Sequence, residues 1–544
     1  MVLLLSNSEN LIAVPAIDLD NAVVLTPASY VDWATMFTAN PSKTQFLLTP
    51  GDYMSWGTCI RLSKPGGTEG NPKIIRYYNP DDHDLHPVDR VGGNEALCDD
   101  FQFGNPTTTY WTVHGITTRG GAGNWLVYQG ATNITFDYSL IEDKRKTENS
   151  YCIRIREATD WTIQRMVIRN FILDTPLPSD SLGISVGNID RSVLGGMILD
   201  CEIYNVGDAI QIEDGPSYWK PVEMLIEGND LYMDSTYHIG ETNECWLENG
   251  IDLKAGSDTA ESTVIRNNRI WGFRLNAGPT ARGEGIVIQR YARNMIIESN
   301  IIGDCPMAIK DENWITTATT YTADYTTNTL TCVNGSGVAT SHHLTTGAGP
   351  FLLSTTGTRP SPLLGDTQYW FIYLSATTFR WASSYVAAMD ESAITVTDDG
   401  TPTNTFRIDT EATRTISFTG NQIYDIHDFA DDDAGAVFKP ITDIAWDNNY
   451  IARVDFLFDV PPSIYHDPTF TGNILIDVET IQRPEDQDPP VPYDPALNTV
   501  TTAPHGYVQY QRKRWTGTEL ASGAIPASAP PGAPILGAIA WRRR

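Results

Sequence analysis

Between positions 213 and 311 the chain places charged residues in small groups: Glu213 and Asp214, then Asp252 and Lys254, then Arg290, then Lys310 and Asp311. If the backbone coils so that these groups stack, same-position side chains come within roughly 5 Å of one another. Two chemistries suit such a row. β-Elimination on a uronate removes the proton beside the sugar carboxylate, which a cation must first neutralise. Lys254 is then the base and Arg290 or Lys310 steadies the substrate, with Glu213, Asp214, Asp252 and Asp311 available as oxygen ligands for calcium. Carboxylates beside Lys254 favour its protonated form and oppose that role. The second chemistry uses the acids alone, a pair from Glu213, Asp214, Asp252 and Asp311 hydrolysing a glycosidic bond. A third outcome is structural, opposite charges on adjacent coils pairing across strands for a few tenths of a kcal/mol each. Trp219, Trp246, Trp271 and Tyr291 lie beside the row, where aromatic faces suit sugar stacking or loop packing. The acidic run at 428–435 reads as a solvated turn or a cation site.

Positioning these groups requires a repeat, and the chain has one. The phrase apolar-x-x-Asn-x-apolar recurs with Asn170, Asn229, Asn268, Asn300, Asn421, Asn449 and Asn473. Cys201 occupies the same slot between the first two, and Ser139 and His114 fit more loosely. A period in the twenties to thirties with strand-like alternation predicts a β-solenoid. No coil buries its inward face alone, so coils must stack. An inward Asn at each corner then bonds to the Asn above and below, satisfying a group that is costly to bury singly. A second strand per coil carries the charged row. Alternation places Ile153/Ile155, Ile184/Val186, Ile210/Ile212, Ile251/Leu253 and Ile286/Ile288 inward, leaving Arg154, Ser185, Gln211, Glu213, Asp252, Lys254, Val287 and Lys310 outside.

At 544 residues the chain exceeds one compact core. Thirty-seven basic against 67 acidic residues give a net charge of −30, which argues against nucleic acid and anionic lipid as partners. Seven scattered cysteines read as buried free thiols rather than a disulfide framework or zinc site. The opening MVLLLSNSENLIAVPA has no cationic leader, and its apolar run is short for secretion or membrane insertion.

The chain divides into a lead-in or cap (1–45), a first solenoid part (46–315), a Thr/Ser/Gly-rich insertion (316–412), last coils (413–480) and a Pro-rich linker with a tail (481–544). Turn signals every eight to twelve positions mark the insertion as a small antiparallel β-domain.

TQFLLTPGDYMSWG (44–57) followed by KPGGTEGNPKIIRYYNP (64–80) resembles the opening coils of pectate-lyase-like and chondroitinase-B-like families. NGIDLKAGS around Lys254 looks like their DGxDLK strand, in which a Lys is the base and acidic neighbours hold calcium. SHHLTTGAGPFLLSTTGTRPSPLLGDTQYWFIYLSATTFRWASS resembles a module of bacteriophage tail and fibre proteins. It matches at Thr346-Gly347, Gly349-Pro350, Thr355-Thr356-Gly357, Tyr369 and Phe379, and departs at His342-His343-Leu344. These resemblances imply an all-β right-handed parallel β-helix with an inserted antiparallel domain. They further imply a homotrimeric tailspike-like or tail-fibre-like virion protein that meets other virion proteins and binds a bacterial surface polysaccharide, with binding alone and cleavage both left open. Competing expectations are a stand-alone calcium-dependent polysaccharide lyase and a non-catalytic decoration protein.

Overall fold

The computed structural model describes residues 10–501 except 58–59, 63–65, 83, 91–93, 121–123, 144, 147–149, 174–180, 188–192, 214–221, 234–247, 255–262, 274–282, 290–293, 313–318, 335, 341–345, 347–350, 366, 402–403, 409–415, 427–435, 440–443, 459–468 and 483–498. Residues 502–544 of the expected tail and the whole acidic run at 428–435 lie outside the described residues.

Each coil contributes one strand to a 13-stranded sheet whose pairings are all parallel, from Ala22–Leu25 to Thr469–Thr471. Two further strands per coil form the remaining wall. Residues on successive coils align one to one, as in Ile134 beside Trp111 and Phe136 beside Val113. The alternating apolar residues of all strands therefore meet in one continuous core that runs from Leu25 to Leu475. Its lower end is closed by the helix Trp33–Ala39. Asp32 caps that helix by accepting from the Thr35 amide at 2.6 Å. Trp33, Met36 and Phe37 turn onto the coil stack, with Phe37 edge-on to Phe46 and Trp111.

The Asn column stands at the corner after the 13-stranded sheet. Asn229 Nδ2 donates to Asn268 Oδ1 at 2.8 Å and Asn268 Nδ2 to Asn300 Oδ1 at 3.0 Å. The column continues through Asn421, Asn449 and Asn473. Every donor also reaches a carbonyl of the coil below, such as Ile226 O for Asn268. Cys201 shares the column, since its amide donates to Asn229 Oδ1 at 2.9 Å, and Ser139 does so lower down, bonding the Ile116 amide.

Two expectations fail here. Asn170 is not a rung: the column passes through Met166, whose carbonyl accepts from the Glu202 amide as Cys201's does from Asp230. Asn170 instead sits at φ 57° and accepts from Asn205 Nδ2 at 2.9 Å. His114 also lies off the column, which passes two residues later through Ile116.

The insertion leaves the ladder unbroken. Asn300 bonds Asn421 directly, and Met295–Glu298 pairs with Ile416–Thr419 as any two coils pair. The intervening chain folds into a six-stranded antiparallel sheet spanning Thr319 to Ile408. Its own aromatic core includes Tyr321, Phe351, Tyr369, Phe379 and Trp381. Cys98, Cys152, Cys201, Cys305 and Cys332 are buried free thiols, and among the described residues no helix is long and apolar enough to cross a membrane.

Candidate functional site

Six strands build the wall that carries the charged row: Ser150–Ile155, Ser181–Val186, Asp208–Ile212, Asn249–Leu253, Glu284–Gln289 and Met307–Glu312. They pair in parallel in that order. Ile153, Ile184, Ile210, Ile251, Ile286 and Ile309 align inward and pin the register, because a one-residue slip would turn every apolar side chain outward. Between the inward residues the first outward column reads Arg154, Ser185, Gln211, Asp252, Val287, Lys310. Glu213 and Lys254 open a second column, their amides donating to Val186 and Ile212 of the coils below.

A third set enters from a break in the alternation. Ala209 and Ile210 both join the core, so Asp208 returns to the outward side. Asn249 and Glu284 start the next strands at equivalent points. Gly250 is needed at this bend, since a Cβ there would lie 2.3 Å from Ile270 Cγ2 and 2.5 Å from the Gly285 carbonyl oxygen.

The side chains form a connected polar layer. Gln211 Nε2 donates to Asp208 Oδ2 at 2.8 Å and to Asp252 Oδ2 at 3.3 Å. Those two carboxylate oxygens are thus no more than about 6 Å apart. Asn249 holds the other Asp208 oxygen through its amide and Nδ2, at 2.8 and 3.0 Å. Lys254 Nζ meets Asp252 Oδ2 at 2.9 Å, and Lys310 Nζ meets Glu284 Oε1 at 3.0 Å. Glu213 accepts from Ser185 Oγ at 2.5 Å and from Arg154 Nη2 at 2.9 Å.

Burial sorts the charges by depth. Asp208 and Asp252 are at most 2 % exposed, whereas the side chains of Arg154 and Lys254 keep 20 % and 18 %. Asp208 and Asp252 lie deepest, while Glu213 at 17 % is exposed nearly as much as Arg154 and Lys254, so the row presents paired charges of both signs.

Of the residues expected at the site, Glu213, Asp252, Lys254 and Lys310 are brought together. Asp214, Trp219, Trp246, Arg290 and Tyr291 lie outside the described residues. The side chain of Asp311 lies outside the described residues too. Trp271 belongs to another wall, stacked on Tyr232 with centroids 4.6 Å apart and its Nε1 donating to Asp230.

Arg154, Ser185, Asp208, Gln211, Asn249 and Glu284 complete the layer and were not among the expected site residues. A polar residue followed by Gly or Ala and then Ile, as in Asp208-Ala209-Ile210, Asn249-Gly250-Ile251 and Glu284-Gly285-Ile286, is the signal that marks three of them.

Calcium does not fit the described groups. Asp252 and Glu213 are already engaged by Lys254 and Arg154, whose charges would oppose a divalent ion. Among the described residues no three His, Cys, Asp or Glu side chains converge as a metal site.

No family model and no curated protein sequence matches the chain. Solved structures with a similar course include an alginate lyase from a Paenibacillus species, at 15 % identity and TM-score 0.36, spanning 53 % of this chain and 90 % of that one. A pectate lyase matches at 13 % identity and TM-score 0.32, over 54 % and 75 %. The tailspike protein of E. coli bacteriophage HK620 matches at 9 % identity and TM-score 0.35, over 86 % and 67 %. The chain is a right-handed parallel β-helix. That statement rests on its own parallel pairings and on the hand that L-residues favour for parallel connections. Likenesses with TM-scores this low carry no argument about the fold or the reaction.

Proposed function

We propose that this protein is a tailspike-like virion component that binds a bacterial surface polysaccharide along the wall carrying Arg154, Glu213, Lys254 and Lys310. The observation that carries the reading is the layered row itself. Five coil steps separate Arg154 from Lys310, about 24 Å at the spacing of paired strands. A rigid, straight array of polar and charged side chains over that length, with the tips of Arg154, Glu213 and Lys254 partly exposed, suits an extended, repeating ligand better than a compact one. Buried carboxylates fix the cations, so binding costs little ordering of side chains. The resemblance of the inserted domain to a phage tail module supports the virion assignment. Tyr369 and Phe379, two residues of that match, are core positions of the domain. Assembly as a homotrimer with other virion proteins as partners belongs to the same proposal.

A second reading is hydrolysis of the bound glycan, favoured by Asp208 and Asp252 sharing the Gln211 amide. Elimination with Lys254 as base has no such support. An ammonium donating to Asp252 has no lone pair with which to take a proton.

Purified protein incubated with capsule and lipopolysaccharide extracts, with and without EDTA, tests these readings together. Retention of glycan without new reducing ends indicates binding alone, and new reducing ends without absorbance near ~235 nm indicate hydrolysis. An EDTA-sensitive rise in that absorbance would restore the elimination reading, and no interaction with any extract would remove the proposal. Light scattering of the same sample reads the subunit number.

A further inference from the structure

Before its first coil the chain runs along the outside of the 13-stranded sheet. Asn10 Nδ2 donates to Glu227 Oε2 at 2.9 Å. Gln164 closes a two-point clamp on Ile12, accepting from its amide and donating to its carbonyl, both at 2.8 Å. Arg76 Nη1 donates to the Pro15 carbonyl at 3.0 Å. Gln45 makes a second clamp, accepting from the Asp18 amide at 3.2 Å and donating to Ala16 O at 2.8 Å. Gln45, Arg76, Gln164 and Glu227 sit on the second, third, sixth and eighth strands of the sheet. Nine residues thus span six strand spacings, about 29 Å, which demands a nearly extended backbone.

Burial follows the same track. One outward column of this sheet reads Ile74, Thr112, Thr135, Thr162, Met197, Leu225, Val264, Ile296. Outward residues of a solenoid face solvent unless something covers them. The first four are at most 5 % exposed, while Met197, Leu225, Val264 and Ile296 are only half-buried. The change falls near the level where the run of strap contacts ends.

We propose that this face is a recognition groove for an extended, mainly apolar peptide, and that Asn10–Asp18 is its resident ligand, a detachable strap rather than part of the coil stack. Recognition is directed at the main chain. Two glutamines read backbone amides and carbonyls as a neighbouring strand would. Arg76 needs only a carbonyl, so Pro15, which lacks an amide hydrogen, is admitted where it stands. The Asn10 side chain on Glu227 supplies the one sequence-specific contact among these bonds.

Amide hydrogen exchange on the full-length chain tests this directly. Gln164→Ala is expected to lower protection of the Ile12 amide by about tenfold, the effect of losing one to two net hydrogen bonds. Protection of core amides such as Ile226 should hold. Unchanged protection at Ile12, or loss across strap and core together, overturns the inference. In a second arm, a chain lacking residues 1–18 is mixed with a synthetic peptide of residues 10–18. Binding that raises the melting temperature is expected, with weaker binding for the peptide carrying Asn10→Ala. A truncated chain that fails to fold, or folds and ignores the peptide, overturns it.

Discussion

Asn268 accepts from both the amide and the Nδ2 of Asn229 and donates to Asn300 and to the Ile226 carbonyl, all in the dry interior. Replacing it with Ala strands donors on Asn229 and takes a donor from the Ile226 carbonyl, while Asn300 Oδ1 keeps only the amide of residue 268. Asn268→Ala should therefore lower unfolding stability by about 2–4 kcal/mol, read from denaturant midpoints. Asn170→Ala should cost only about 1–2 kcal/mol, from a half-buried contact and a left-handed backbone that Ala tolerates poorly. Equal losses at the two positions would contradict the distinction between rung and corner. The ladder was legible because its Asn sits at one slot in a phrase of fixed length. Asn170 carries the same local phrase but lies four residues beyond Met166 in its coil, and short patterns do not encode which corner a turn occupies. At the candidate site, alternation located Lys254, Asp252, Glu213 and Lys310. It missed Asp208 and Glu284 because Ala209 and Ile210 face inward in succession, shifting the parity.

At the scale of elements, the 13-stranded sheet carries a buried charge cluster on its outward side. Asp137 is fully buried, with His114 Nδ1 at 2.7 Å and Arg165 donating to both carboxylate oxygens. Burial lowers the His114 pKa from its ordinary value against the pull of Asp137, so the ring is held neutral. Burial alone would raise Asp137, but the hydrogen bonds from His114 and Arg165 and the charge of Arg165 outweigh it and hold the carboxyl below its usual value. Of the two basic partners, Arg165 carries the positive charge at neutral pH. Both shifts are downward, so the stability they contribute is present at neutral pH and lost on acidification. His114's share goes first, as pH falls below ~6.5 through its folded value, and Asp137's follows below ~3.8. Thermal melts from neutral to acidic pH should show His114→Gln with a flatter decline than the parent above pH ~5. Parallel curves would remove His114 from this account.

The insertion offers a second test at this scale. Because Asn300 and Asn421 bond directly, a chain that joins residue 312 to residue 416 through a short Gly/Ser linker should retain a cooperative solenoid melt within about 5 °C of the parent. Collapse of that melt would show that the coils depend on the antiparallel sheet.

Across the whole molecule, one core from Leu25 to Leu475 holds distant residues on a single rigid wall. A net charge of −30 surrounds a row whose cationic tips, Arg154, Lys254 and Lys310, are partly exposed and each paired with a carboxylate. The proposal stands on those tips meeting a glycan. Surface plasmon resonance on immobilised capsule or lipopolysaccharide, comparing the parent with a Lys254→Ala/Lys310→Ala chain of unchanged circular dichroism, tests it most directly. The predicted result is saturable binding by the parent and affinity at least about tenfold weaker in the variant, as loss of charged hydrogen bonds to the ligand implies. Equal affinity of the two chains, or no binding by the parent, would contradict it.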